Sequence, residues 1–170
     1  MTELDQAFMQ EALAEAQKAE AIGEVPVGAV VVHRGEVIAR GHNQVITQLD
    51  PSAHAEMIAL REAAKVIGNY RIEDTTLYVT LEPCPMCAGL LVHSRISRLV
   101  FGAYDLKTGS AGSLMNLVKH DALNHQVEVE SGVLEDECAT ILSDFFKHRR
   151  AQKKRLRQLS QHTQDLDKPE

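Results

Sequence analysis

Glycine and proline are scarce in this 170-residue chain, at 10 and 5 residues, too few for a collagen-like or fibrous composition. With 44% hydrophobic and 25% charged residues, nothing marks it as disordered. No apolar run approaches the roughly 18 residues of a membrane span. The opening residues, Met1-Thr2-Glu3-Leu4-Asp5, lack the basic start and apolar stretch of a secretory signal. Cysteine is sparse too: three residues are too few, and odd in number, for a secreted disulfide framework. These absences lead to the expectation of a reduced, cytoplasmic protein with no membrane partner. One domain of this length buries roughly two-thirds of its unfolded surface.

What is present is unevenly distributed. The formal net charge is −6, but residues 1–146 carry −11, whereas residues 147–157 hold seven Lys or Arg and no acid. An acidic body with one concentrated basic segment points to a polyanion contact at a defined place, and the competing reading is a solvated helix end.

Thr2 followed by Asp5 resembles a helix start, and Phe8, Ala12, Ala16 and Ala19 recur at near-helical spacing up to Gly23. A β-hairpin is expected from Val25 to His33 and Glu36 to Gly41, turning at Arg34-Gly35. Asp50-Pro51-Ser52 marks a loop and helix start, with a helical pattern from Met57 to Ile67. Strands are expected at Thr76–Thr80, Leu99–Ala103 and Val127–Val129, and helices at Pro85–His93 and from Glu135 onward. Leu114–Val118 reads as a short apolar segment. The sum is a three-layer α/β/α domain with a mixed five-stranded sheet. It spans residues 1–158 and includes the basic C-terminal helix, with 159–170 a polar tail of disorder-prone composition.

Two segments carry the chemistry: His54-Ala55-Glu56 and Pro83-Cys84-Pro85-Met86-Cys87. Cysteines three apart at a helix start can turn both sulfurs to one point, where the helix's positive end favours thiolate. Such a pair is a soft ligand set suited to zinc, and one histidine would leave the fourth position open, as a catalytic site requires. A redox pair or a structural four-ligand zinc site remains open on spacing alone. Cys138 lies in an apolar helical pattern and reads as a buried thiol.

The combination is more specific: His-x-Glu, then 26 residues, then Pro-Cys-x-x-Cys, the pattern of zinc nucleobase deaminases. With Glu24-Val25-Pro26-Val27-Gly28-Ala29, Asn43, Thr80 to Gly89, His93-Ser94-Arg95-Ile96, Lys107-Thr108-Gly109 and Ser143-Asp144-Phe145-Phe146, the chain resembles the bacterial tRNA-specific adenosine deaminases of the cytidine/deoxycytidylate deaminase superfamily. The resemblance implies a cytidine-deaminase-like fold, a homodimer, and hydrolysis of the wobble adenosine of a tRNA anticodon stem-loop to inosine. It implies one zinc per subunit on His54, Cys84 and Cys87, a zinc-activated water attacking carbon 6, and Glu56 as the proton shuttle. Val27, Asn43 and the Ala55 backbone match positions that line the base pocket. Helical spacing alone does not bring His54 and Glu56 together, since residues two apart on a helix point to nearly opposite sides.

Asp105 is a candidate acceptor for a ribose hydroxyl, its other role being a loop cap. Relatives often carry a basic residue where this chain has Tyr104. Phe145 and Phe146 beside Lys147, Arg149 and Arg150 suit single-stranded RNA, and the two rings are expected to divide between packing and RNA contact. His93 reads as an interior or interface residue rather than a ligand. Lys107-Thr108-Gly109-Ser110 lacks the glycine pattern of a phosphate loop, so no nucleotide triphosphate is expected.

Overall fold

The computed structural model describes residues 1–166. The first helix, α1 (Glu3–Ala21), starts where a capping box forms: the Thr2 hydroxyl accepts from the Asp5 N–H at 3.1 Å, and the Asp5 carboxylate accepts from the Thr2 N–H at 2.9 Å. A hairpin follows, β1 (Gly28–His33) and β2 (Glu36–His42), then a single turn of helix, α2 (Val45–Gln48), and α3 (Ala55–Ile67). The remainder alternates through β3 (Thr75–Leu81), α4 (Pro85–His93), β4 (Arg98–Ala103), β5 (Glu128–Ser131) and α5 (Glu135–Leu166).

The five strands form one sheet in the order β2-β1-β3-β4-β5, with β1 antiparallel to both neighbours and β3, β4 and β5 parallel. Strand periodicity then sorts the core into two layers. Ala29, Val31, Leu77, Val79, Leu99 and Phe101 pack with Ala55, Ala59, Leu60, Ala88 and Leu91 beneath α3 and α4. The alternate residues Val30, Val32, Tyr78 and Val100 pack with Met9, Ala12, Leu13 and Cys138 beneath α1 and α5. The expected mixed sheet between two helical layers is therefore the fold. Among the described residues, no helix is long and apolar enough to cross a membrane.

Some boundaries differ from the sequence reading, and two have a clear local reason. Val25 to Val27 is not strand: Pro26 cannot donate to a ladder, and the Val27 N–H bonds the Val25 carbonyl at 2.8 Å. The helix after Asp50-Pro51-Ser52 begins only at Ala55, because the Asp50 carboxylate accepts from the Ser52 N–H and hydroxyl, both at 2.8 Å, and holds a turn there. Leu114–Val118 forms neither strand nor helix beyond an isolated bridge between Ala111 and Asn116. At the C-terminus α5 continues through Leu166, into the stretch read as a polar tail, whose residues 167–170 lie outside the described ones.

α3 lies close on the hairpin because Gly41 has no side chain. A Cβ there would meet the Ala55 carbonyl, and the Ala59 nitrogen at 2.7 Å. Across the sheet, Asp5 is 1% exposed and does more than cap α1. Its carboxylate also accepts from Arg98 at 2.7 and 3.2 Å and from the Tyr78 hydroxyl at 2.9 Å. The Arg98 guanidinium holds its carboxyl well below the usual carboxylate range, against the cost of burial.

A carboxyl depressed in the folded state contributes stability above its unfolded pKa of about 3.9 and loses it as the pH falls. Asp5→Asn is expected to lower stability by about 2 kcal/mol at pH 7. The gap should narrow below about pH 3.9. Urea unfolding across pH reads both effects, and a gap that is constant with pH would remove Asp5 from this role.

Candidate active site

Two helix starts build the site. His54 is the N-cap of α3, with extended backbone at φ −75° and ψ 153°, and its side chain makes no capping bond. Cys84 is the N-cap of α4, also extended, with Pro85 opening the helix behind it, a position where the missing proline N–H costs nothing. Cys87 is the third helical residue. N-cap and third-position side chains meet across the first turn, as in a capping box, so the two sulfurs face one point. Both Sγ atoms lie 3.6 Å from His54 Nδ1.

That separation is the one zinc demands. Tetrahedral bonds of about 2.05 Å to nitrogen and about 2.3 Å to sulfur place the two donors roughly 3.6 Å apart. All three donor atoms lie within 4.8 Å of one another, and two sulfurs with one imidazole form a zinc-type set. The residues therefore fit the metal. A hydrogen bond from Cys87 holds Cys84 well below the usual thiol range, with His54 helping, while the same bond and burial push Cys87 up. His54 is raised by its bond to Cys84.

Glu56 joins the trio because His54 stands outside the helix. The objection from helical spacing holds only when both residues are helical; here one side chain leaves extended backbone and the other the first turn. Both line a single cavity of about 310 Å³, at the small end of the range for small-molecule sites. Glu56 is 4% exposed, and burial pushes its carboxyl up to about 7, opposed by its own backbone N–H and by His54.

Of the other expected residues, Val27, Asn43 and Asp105 line the same cavity. The Asn43 Oδ1 accepts from the Ala55 N–H at 2.8 Å, and that backbone donor decides which way the amide points. Asn43 thereby serves the start of α3 in place of the His54 side chain. Ala55 is fully buried with its N–H so occupied, and it is not among the lining residues. Asp105 caps its own turn, accepting from Lys107 N–H, Thr108 N–H and the Thr108 hydroxyl at 2.8 to 3.1 Å. Burial works against its ionisation, but these bonds prevail and lower its pKa.

The two phenylalanines differ in burial. Phe145 is 7% exposed and Phe146 43%, with Arg149 lying 5.4 Å from the Phe145 ring centre. Phe145, Phe146, Arg149 and Arg150 belong to the α1/α5 layer and do not line the cavity. Tyr104 donates to the Ser131 hydroxyl at 2.9 Å and packs edge-on against Phe101. Cys138 is buried, its thiol pushed up to about 12 by desolvation. His93 is exposed at the end of α4, away from the ligand trio.

Two buried acids of the cavity, Glu24 and Glu82, carried no assigned role in the sequence. One Glu82 oxygen accepts from the Ser113 hydroxyl at 2.8 Å, and the other is buried without a partner beside Gly109. Burial raises its pKa. The available signal was an isolated acid among apolar neighbours, Gly23-Glu24-Val25-Pro26 and Thr80-Leu81-Glu82-Pro83, which calls for a buried hydrogen-bond partner.

Comparison with known proteins follows the same pattern. Residues 2–103 match the family described as the cytidine and deoxycytidylate deaminase zinc-binding region. The chain is 56% identical over 153 residues to the tRNA-specific adenosine deaminase of Bacillus subtilis, covering 90% of this chain and 95% of that protein. It is 56% identical over 154 residues to the protein of the same name from Haemophilus influenzae, covering 90% and 89%. A solved structure from studies of A-to-I editing by tRNA:A34 deaminases at the wobble position of transfer RNA superposes with a TM-score of 0.78. It shares 43% identity, covering 80% of this chain and 99% of that one.

Proposed function

We propose, for a chain that belongs to the tRNA-specific adenosine deaminases within the cytidine and deoxycytidylate deaminase zinc-binding family, that it hydrolyses the wobble adenosine of a tRNA anticodon to inosine and ammonia. The observation that carries this reading is the convergence of His54, Cys84 and Glu56 on one cavity, with Cys87 completing the donor trio behind them. His54 through Nδ1, and Cys84 and Cys87 through sulfur, hold one zinc per subunit. Bound there, zinc supplies the Lewis acidity that makes water nucleophilic near neutral pH.

The chain's own residues do the rest. Glu56 takes a proton from the attacking water, returns it to the ring nitrogen beside carbon 6, and then helps protonate departing ammonia. A buried carboxyl near pH 7 can both accept and release a proton at neutral pH. Val27 and the apolar wall give the base a dry face. The Asn43 amide, with its oxygen occupied by Ala55, keeps its two N–H donors for the base edge. The Asp105 carboxylate has accepting capacity beyond its three turn bonds and takes a ribose hydroxyl. The target base leaves its stack to enter, which an anticodon loop permits.

Inosine formation on an adenosine-wobble tRNA transcript, with free adenosine and cytidine run in parallel, tests the reading. Turnover is expected on tRNA alone, and Glu56→Ala is expected to lose about 10²–10⁴-fold in rate while retaining its zinc. Turnover of a free nucleoside without tRNA activity would move the assignment to a small-molecule deaminase.

The exposed Phe146 stacks on RNA, and Arg149 and Arg150 contact phosphate. The double variant Arg149→Ala/Arg150→Ala is expected to weaken tRNA binding and flatten the dependence of log affinity on log salt by about 1.5, roughly 0.7–0.9 per lost phosphate contact. An unchanged slope refutes the contact. A tRNA substrate assigns the enzyme to the cytoplasm. Apolar side chains exposed on α3 and the loop after it, on α4 and on the loop that follows β4, among them Val66, Tyr70, Met86, Leu106 and Leu114, support a homodimer. Sedimentation is expected at twice the chain mass, and a monomer at micromolar concentration would exclude it.

A further inference from the structure

Glu24 belongs to neither the ligand trio nor the proton shuttle, yet it is 2% exposed and lines the same cavity. It sits on the loop between α1 and β1, where its N–H bonds the Ala19 carbonyl at 3.0 Å. Its Oε1 accepts from the Thr47 N–H at 2.7 Å and from the Thr47 hydroxyl at 3.0 Å.

Thr47 is the third residue of α2, and the N-cap of that helix, Gln44, makes no side-chain capping bond. The Gln44 Oε1 instead accepts from the Gln48 amide at 2.8 Å. In a capped helix, the N–H of the second or third residue is satisfied by the N-cap side chain. Here Glu24 supplies that oxygen from 23 positions earlier in the chain. A helix of four residues has too few internal bonds to sustain itself. α2 is held at one end by the Gln44 N–H on the Ala53 carbonyl at 3.0 Å, and closes at the other through Leu49 in the left-handed region at φ 51°. The Glu24 bonds fix its middle. Its first two side chains, Val45 and Ile46, form part of the cavity wall.

We propose that Glu24 is a positioning residue that caps α2 from outside, and so sets the wall formed by Val45 and Ile46 against which the substrate base rests. The substrate half of this inference rests on the function proposed above; the capping half does not. Without the cap, α2 opens and the wall moves, while the ligand trio and Glu56, carried by α3 and α4, stay in place. The loss falls on substrate binding rather than on the chemical step. Glutamine keeps an accepting oxygen at the same reach, so Glu24→Gln restores what Glu24→Ala removes.

The test uses zinc-loaded full-length protein and two readouts. Amide hydrogen exchange of residues 44–50 is expected to rise about tenfold in Glu24→Ala, in keeping with a cap of ordinary strength. It should remain within about twofold of wild type in Glu24→Gln. Thr47→Val, which removes only the hydroxyl bond, is expected to fall between them and serves if the alanine variant does not fold. In steady-state deamination of tRNA, Glu24→Ala is expected to raise KM about tenfold with kcat changed by less than about threefold. Unchanged exchange in both Glu24→Ala and Thr47→Val overturns the cap. Faster exchange with unaltered KM, or an equal fall in kcat, overturns the wall. A wild-type protein that makes no inosine from tRNA overturns the substrate half alone, because the exchange measurement needs no substrate.

Discussion

The N-cap side chains of α3 and α4, His54 and Cys84, stand 3.6 Å apart, and much of the surrounding architecture serves that approach. It requires α3 to lie flat on the hairpin, which the missing side chain of Gly41 allows. It requires α4 to start at Cys84, three residues past the end of β3, where Pro85 takes the first helical position. Because both N-cap side chains are committed to each other, neither can serve its own helix. Asn43 compensates at Ala55, and that commitment places a polar side chain in the cavity beside the reacting groups.

The cavity lining contains Glu24, Glu56, Glu82 and Asp105 but no lysine or arginine. A divalent cation suits such a pocket, whereas a phosphate is repelled by it. A nucleic-acid substrate must therefore find its attractive charge elsewhere. The chain provides it on α5, where residues 147–157 carry seven bases and no acid, on the layer opposite α3 and α4. The densest basic charge of the chain is thus kept apart from the cavity that His54, Glu56 and Cys84 line.

Much of this was legible in the residues. α4 was recognisable end to end because proline at the first helical position and histidine at the last bracket an apolar run. The zinc-type trio was recognisable from His-x-Glu and Pro-Cys-x-x-Cys together, since the cysteine spacing alone left a redox pair and a structural site open. What escaped did so for physical reasons. Four residues of α2 are too short to display a period. Glu24 and Glu82 each act alone, and a single acid has no spacing to betray it. The nearness of His54 to Glu56 depends on where a helix begins, and Asp50 and Ser52 delay that start by a turn. Which of two adjacent phenylalanines faces inward depends on the exact rotation of α5, a long-range packing outcome.

The bond between Asp5 and Arg98 spans 93 positions. α1 is synthesised before the strands it packs on: the β1–β2 hairpin can meet it first, whereas the Asp5 carboxylate gains Tyr78 only with β3 and Arg98 only with β4. α1 therefore completes its docking only after β4 has been made. During synthesis it waits as an amphipathic segment, its final docking set by non-local contacts that form slowly. The same bond that closes the finished domain makes its folding depend on residues far downstream in translation.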